Sequence, residues 1–155
     1  MKKYLKTMVL AFVVGLVIST VLMRQYDESE GLTTVFDNQE NVYFLKQGTY
    51  KSEDEMKNGL TGFKKYIYFN ENNEYNAFVG ISGNYTNATK MQGYLKEKGY
   101  MTSIEEYPVS SSAFLTVLNQ YDTLLDQTSD NNVIEAICEQ TISKYEEWVL
   151  NEHKN

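Results

Sequence analysis

The segment Tyr75–Gly99, YNAFVGISGNYTNATKMQGYLKEKG, decides the fold predicted for this chain. Its first residues alternate between two sets of side chains, a period of two that is typical of a β-strand. Two glycines then turn the chain, and Asn84 or Thr86 can cap the helix that follows. From Thr86 onward apolar residues recur at three- and four-residue spacing, which predicts an amphipathic helix. Gly99 suits the residue that ends it.

An earlier segment has the same order of features. Residues 42–50, VYFLKQGTY, predict a strand, and Ser52 with Glu55 has the spacing of a helix-capping box. Between the two units Lys64–Phe69 predicts a strand that a polar hairpin joins to the next one, and residues 102–109 predict a last strand. This order predicts an α+β fold, a ferredoxin-like βαββαβ domain whose antiparallel sheet carries two helices on one face.

These residues resemble a SPOR domain, the sporulation-related repeat that binds bacterial peptidoglycan. The resemblance rests on the run YFLKQGTYKS, on FVGISGN ahead of ATKMQGYLKEKGY, and on the spacing between them. It covers residues 42–109. The resemblance implies a SPOR-type domain that binds glycan strands lacking stem peptides, on the sheet face opposite the two helices.

The resemblance also places binding residues on two strands. In the first strand the family's glutamine position is occupied by Lys46, and its small hydroxyl residue falls on Thr49. In the third strand the pattern places Asn76 and Phe78 on the open face. Lys46 is a departure from the pattern, because an ammonium group only donates hydrogen bonds whereas a glutamine amide also accepts them.

Tyrosines form a second row on the adjacent strand, at Tyr66 and Tyr68. Sugars present C–H faces to aromatic rings and hydroxyls to amides, so aromatic and amide side chains on one face suit a glycan. Aromatic residues also stabilise strands through cross-strand pairs, and this alternative stays open for each tyrosine. The predicted glycan-binding residues are Lys46, Thr49, Tyr66, Tyr68, Asn76 and Phe78.

Residues 7–23, TMVLAFVVGLVISTVLM, predict a transmembrane helix. Three lysines precede this run and acidic residues follow it, so the positive-inside rule predicts a single-pass protein of the cell membrane, with a cytoplasmic N-terminus and an extracytoplasmic C-terminal domain. A cleaved signal peptide is the alternative, although Val21–Arg24 lacks the small residues of a cleavage site. The prediction assigns residues 1–24 to the cytoplasmic N-terminus and signal anchor, and residues 25–41 to a linker.

Residues 110–155 predict two amphipathic helices joined by a polar loop, an αα-hairpin. A hairpin this small buries too little apolar surface alone. It is expected to dock either on the chain's own domain or on a protein partner. The single cysteine, Cys138, lies on an apolar helical face, which predicts a core residue rather than a reactive thiol.

Composition argues against several function classes. The chain carries a net charge of −7, which disfavours nucleic acid as a partner. His153 is the one histidine and lies close to the C-terminus, so the sequence predicts neither a general base nor a zinc site. Adjacent carboxylates such as Glu105 and Glu106 are typical of solvated surface. The chain is therefore predicted not to be an enzyme, and to need no cofactor or metal.

The sequence thus predicts a membrane-anchored protein that binds peptidoglycan in cell division or sporulation. The alternative is an interaction scaffold for division or sporulation proteins that does not bind glycan and acts through the C-terminal helices. Lys46 motivates this alternative. A third hypothesis, a wall-cleaving enzyme, would need carboxylates placed across a deep cleft, which a domain this small does not readily form.

Overall fold

A computed structural model describes residues 40–152 of the chain. In chain order these residues form β1 (Glu40–Tyr50), α1 (Glu53–Gly59), β2 (Ile67–Glu71), β3 (Glu74–Ser82), α2 (Tyr85–Glu97), β4 (Ser103–Val109), α3 (Ser112–Gln127) and α4 (Asn131–Glu152). The strands form one antiparallel sheet in the order β2-β3-β1-β4. The predicted α+β class and antiparallel sheet are confirmed.

The predicted membrane segment at residues 7–23 lies outside the described residues, as does all but the end of the predicted linker at residues 25–41. The first strand begins at Glu40, just before that linker was expected to end. Within residues 40–152, no helix combines the length and the apolar character that crossing a membrane requires.

Local signals set the ends of the first two helices. Asn84 caps α2, and its side-chain oxygen accepts a hydrogen bond from the amide of Thr86 at 2.8 Å. Gly99 follows the helix with a φ of 91°, a conformation that favours glycine. Ser52 caps α1 and accepts from the amide of Glu55 at 3.2 Å. These contacts were predictable because each one joins residues close in sequence.

A two-residue turn at Asn72 and Asn73 fixes the register of the β2–β3 hairpin. Both residues have positive φ, at 53° and 63°, which asparagine tolerates and which tight hairpin turns require. The turn pairs Glu71 with Glu74, so that Tyr68 pairs with Ala77 further along the hairpin. Because paired residues share a face, the turn decides which tyrosines lie beside which β3 residues.

The pairing between β1 and β3 contains two irregularities that change which residues share a face. Between the pairs Phe44–Ile81 and Lys46–Phe78, β3 has one extra residue. Phe78 and Ile81 therefore lie on the same face although they are three residues apart. Directly after Lys46 the extra residue is in β1, which places Thr49 on the same face as Lys46.

The helical hairpin α3–α4 covers one end of the sheet face that carries Phe44 and Phe78. We call the rings between sheet and hairpin the aromatic cluster: Phe44, Phe69, Phe78, Tyr107, Phe114, Tyr145 and Trp148. Phe44 in β1 lies at its centre, with its ring centroid 5.2 Å from that of Tyr145 in α4. The rings of Phe114 and Trp148 stack above it with centroids 5.9 Å apart. Buried residues of sheet and hairpin form one continuous core: Val42, Phe44, Phe78, Ile81, Val109, Phe114, Leu118 and Ile142. The hairpin thus docks on the chain's own sheet. This packing covers the apolar helix surface for which a protein partner was the alternative.

Helices α1 and α2 pack on the opposite face, where Met56 and Met91 are fully buried. The N-terminal half of α4 lies beside the end of β3 that β2 does not reach. There the hydroxyl of Thr141 accepts a hydrogen bond from the amide of Ile81 at 3.2 Å. Cys138 is buried in this region, and burial raises the pKa of its thiol to about 12. Its predicted role as a core residue is confirmed.

Candidate functional site

A shallow depression of about 360 Å³ lies at the end of the sheet that the hairpin leaves uncovered. It is formed by the C-terminal half of β1 and the residues that lead into β4. Its lining consists of Lys46, Gln47, Gly48, Thr49, Met101, Thr102 and Ser103. The side chain of Met101 is 72% exposed, which is unusual for a large apolar residue. Hydrogen-bonding groups beside an exposed methionine suit a ligand with both hydroxyl and C–H surfaces.

Lys46 and Thr49, two of the predicted binding residues, come together in this depression. The Lys46 ammonium lies 3.1 Å from Oε1 of Glu105 in β4. The other carboxylate oxygen, Oε2, accepts a hydrogen bond from the Tyr107 hydroxyl at 2.8 Å. Burial, and then this bond to Glu105, raises the pKa of Tyr107. Lys46 is therefore part of a three-residue polar row rather than a single positive charge.

Asn76 joins the same surface through a contact with Thr49. The Thr49 hydroxyl donates to Oδ1 of Asn76 at 2.8 Å, and the two residues are cross-strand partners. Thr49 is exposed and Asn76 is half-buried. Three predicted residues, Lys46, Thr49 and Asn76, thus lie on one accessible face.

The prediction that Phe78 lies on an open face is wrong. Its side chain is 0% exposed. The Phe78 ring packs against Phe44 and Phe69 with centroid distances of 5.6 and 5.1 Å. The prediction assumed that helices cover only one face of the sheet, whereas α3–α4 covers part of the other. Phe78 lies on the same face as its cross-strand partner Lys46, but it is buried and presents no surface to a ligand.

The register places Tyr68 away from the face of Asn76, contrary to the prediction, whereas Tyr66 lies outside the paired residues. Tyr68 pairs with Ala77 and so lies on the opposite face, where its ring is 5.7 Å from that of Tyr75. Tyr66 precedes β2 and is half-buried. The two tyrosines therefore do not belong to the depression, and the contact of Tyr68 is the cross-strand pair that the alternative interpretation expects.

Sequence reasoning missed the β4 side of the site. The sequence predicts solvated surface at Glu105 and assigns no binding role to residues 101–103. The pairing of β1 with β4 places these residues beside Lys46 in the site, because Lys46 pairs with Ser103. The alternation of β4 then puts Ser103, Glu105 and Tyr107 on one face. That alternation was visible in the sequence, but the register that brings it opposite Lys46 was not.

One buried hydroxyl in the wall of the depression has no partner. Oγ1 of Thr102 is inaccessible to solvent and makes no hydrogen bond within residues 40–152. The backbone oxygen of the same residue accepts from Nε2 of Gln92 at 2.7 Å, which fixes its position. An unpaired buried hydroxyl costs free energy that a hydrogen bond would recover.

We predict that Thr102→Val raises the free energy of unfolding by about 1 kcal/mol, because it replaces the unpaired hydroxyl with a methyl group of similar size. Urea unfolding monitored by circular dichroism measures the change. The matched control is Thr49→Val in the same depression, whose hydroxyl is exposed and which should change stability by less than about 0.5 kcal/mol. A loss of stability in Thr102→Val would mean that this hydroxyl is bonded in solution.

The side chains in and beside the depression are mainly hydrogen-bonding groups. Its side chains offer ammonium, amide and hydroxyl groups, with a carboxylate at one end. Among its lining residues there is no histidine or cysteine to act as a base or nucleophile. Within the part of the chain that the structure describes, no three His, Cys, Asp or Glu side chains are grouped so as to hold a metal ion.

Comparison with known proteins assigns no family to this chain. No family model, no curated protein and no solved structure matches it. The function is therefore inferred from the geometry of the site and from the residues that resemble a SPOR domain.

Proposed function

We propose that this chain is a single-pass membrane protein that binds peptidoglycan glycan strands through a noncatalytic, SPOR-type domain outside the cytoplasm. The observation that carries the proposal is that Lys46, Thr49 and Asn76 lie together at the end of the sheet face that the hairpin leaves uncovered, where Lys46 and Thr49 line a depression of about 360 Å³. The apolar run at residues 7–23 supports membrane anchoring. A ferredoxin-like βαββαβ order supports the SPOR-type interpretation of residues 42–109.

The partner of Lys46 supports glycan binding at this position. An ammonium group alone could only donate hydrogen bonds. Paired with Glu105 at 3.1 Å, it forms a unit that both donates and accepts. Sugar hydroxyls require both kinds of partner. The departure of Lys46 from the family pattern is therefore compatible with recognition of a glycan.

The biological role follows from anchoring and binding together. A membrane anchor confines the domain to the layer next to the bilayer, and binding retains it where glycan strands are accessible. The resemblance to SPOR domains implies that glycan strands become accessible at the division or sporulation septum. We therefore propose a role in cell division or sporulation, without enzymatic activity.

The test is co-sedimentation of the full chain, in a mild non-ionic detergent, with purified peptidoglycan sacculi. Intact sacculi are compared with sacculi from which an amidase has removed the stem peptides. We expect retention on the stripped wall, and about a tenfold loss of affinity in the double variant Thr49→Ala, Asn76→Ala, since both changes remove hydrogen bonds to the ligand.

The control double variant is Asn119→Ala, Thr123→Ala, which removes the same two residue types from the exposed side of α3. Its affinity should stay within about twofold of that of the unchanged chain. Absence of the unchanged chain from both walls would overturn the proposal. Equal losses in both double variants would show that binding does not use this depression.

A further inference from the structure

Gln47 interrupts the regular pairing of β1 beside the depression. The pairs Lys46–Phe78 and Gly48–Ala77 leave Gln47 as the extra residue of β1 at this point. A strand that gains one residue bends locally, and its side chains turn away from simple alternation. Gln47 is half-buried and lines the same depression as Lys46, although the two residues are adjacent in the strand. The irregularity therefore gives the depression an amide group next to the ammonium group.

Tyr50 fixes the orientation of the Gln47 amide. The Tyr50 hydroxyl donates a hydrogen bond to Oε1 of Gln47. Two glycines leave room for this tyrosine, because a Cβ at Gly48 or Gly59 would lie 3.1 or 2.6 Å from its hydroxyl oxygen. The amide oxygen of Gln47 is therefore occupied, and Nε2 points away from Tyr50 with its two N–H donors. Within residues 40–152, Nε2 of Gln47 makes no hydrogen bond.

The side-chain groups that stay available at this end of the sheet are mainly donors. The Thr49 hydroxyl occupies Oδ1 of Asn76 at 2.8 Å, which leaves the Asn76 amide nitrogen to donate. The Lys46 ammonium has three N–H donors, and one is directed at Glu105 at 3.1 Å. Lys46, Gln47 and Asn76 thus offer N–H groups to a ligand. This arrangement favours a ligand group that accepts hydrogen bonds.

The proposed ligand carries such a group. An amidase that removes a stem peptide hydrolyses the amide bond to the lactyl group of the sugar and leaves a carboxylate there. A carboxylate accepts hydrogen bonds on both oxygens, and bonds from an ammonium group to it are stronger than neutral ones. The net charge of −7 gives the chain no general attraction to anionic polymers. An anion therefore gains binding energy only where donors are positioned for it.

We infer that Lys46 and Gln47 form a subsite for the carboxylate that an amidase exposes on a glycan strand. The inference rests on the proposed glycan function and adds the chemical group by which a stripped strand is recognised. Tyr50 is a positioning residue, because it acts through the Gln47 amide. Glu105 holds the ammonium beside the depression and offsets its charge, so recognition depends on the hydrogen bonds as well as on charge.

The test is co-sedimentation of the full chain, in non-ionic detergent, with amidase-stripped sacculi in two forms. One form keeps its free carboxylates, and in the other a carbodiimide and methylamine have converted them to neutral methylamides. We expect the unchanged chain to bind the free form about tenfold more tightly. Lys46→Gln removes the charge and Gln47→Glu replaces the Nε2 donors with an oxygen, so each should bring this ratio close to one. Tyr50→Phe should lower the ratio about threefold by releasing the Gln47 amide.

The matched controls are Lys96→Gln and Gln140→Glu, which make the same two substitutions at exposed positions of α2 and α4. Both should keep the ratio of the unchanged chain. The inference is overturned if the unchanged chain binds the two forms equally, or if the controls lower the ratio as much as the variants at Lys46 and Gln47. Circular dichroism verifies that each variant is folded.

Failure of the proposed function has a different signature, because the unchanged chain then sediments with neither form. Equal binding to both forms would leave glycan binding intact and remove only the carboxylate subsite. Intact sacculi provide a third comparison, since their carboxylates lie on the stem peptides. Equally tight binding to intact sacculi would show that the lactyl carboxylate is not the group recognised, and would also overturn the inference.

Discussion

Replacing Phe44 with alanine is expected to lower the free energy of unfolding by about 3–5 kcal/mol, the largest effect of any single substitution proposed for this chain. Phe44 is fully buried at the centre of the aromatic cluster. Its ring meets one ring from each of the other three strands and one from the hairpin, at centroid distances of 5.2 to 6.1 Å: Phe69, Phe78, Tyr107 and Tyr145. Alanine would remove these contacts and leave a cavity that five elements border.

Two further variants show whether the effect comes from the cluster. Phe44→Leu keeps most of the volume but loses the ring contacts, and should cost about 1–2 kcal/mol. Phe63 packs against Tyr100 outside the cluster, with ring centroids 4.4 Å apart, and is half-buried, so Phe63→Ala should cost less than Phe44→Ala. Urea unfolding followed by circular dichroism and by Trp148 fluorescence measures all three variants.

The same experiment tests whether the hairpin belongs to the core. If α3–α4 and the sheet form one cooperative unit, the fluorescence of Trp148 and the circular dichroism of the backbone change together in every variant. A loss below about 1.5 kcal/mol in Phe44→Ala would contradict a tightly packed cluster. Separate transitions for the two probes would show that the hairpin undocks on its own.

The parts of the fold that were predictable depend on residues close in sequence. The cap at Asn84, the end of α2 at Gly99 and the polar turn after β2 each follow from a few neighbouring side chains. The alternation in Tyr75–Gly99 likewise predicted where β3 and α2 lie. Such local signals remain valid in the folded chain because they do not depend on which element packs against which.

The site was less predictable because it depends on register and on distant packing. One extra residue in a strand moves all the residues after it to the other face. Such irregularities bring Thr49 onto the face of Lys46, and they put Phe78 and Ile81 under the same helices. Nothing in the pattern of residues 110–155 indicates which face of the sheet the hairpin covers. Because the hairpin covers only one end of the face that both residues share, Phe78 is buried whereas Asn76 stays accessible.

The second large effect is expected at Asp122, which ties α3 to the turn between β3 and α2. Its carboxylate accepts hydrogen bonds from the amide of Gly83 at 2.8 Å, from the amide group of Asn87 at 3.2 Å and from the Ser82 hydroxyl. Asp122 is 7% exposed, so water cannot readily replace these bonds. Asp122→Ala removes the side-chain acceptor of three hydrogen bonds and should lower the free energy of unfolding by about 3 kcal/mol.

The size of this loss should depend on pH. Burial raises the pKa of Asp122 above the ordinary aspartate value, although its hydrogen bonds oppose the shift. A raised pKa in the folded state stabilises the fold below the unfolded pKa, near about 3.9, and this contribution is lost as pH rises through the folded pKa. The variant lacks the group, so the difference in unfolding free energy between the two proteins should be larger at about pH 4 than at pH 7.

Asp126→Ala is the matched control, because Asp126 lies one turn further along α3 and is exposed. Its negative charge raises the pKa of Asp122 slightly and lies at the negative end of the helix dipole. Its removal should therefore change stability by no more than about 0.5 kcal/mol. If the difference for Asp122→Ala instead shrank as the pH fell, the hydrogen bonds to the ionised carboxylate would outweigh the cost of burying it. Asp122 would then stabilise the fold mainly as an anion.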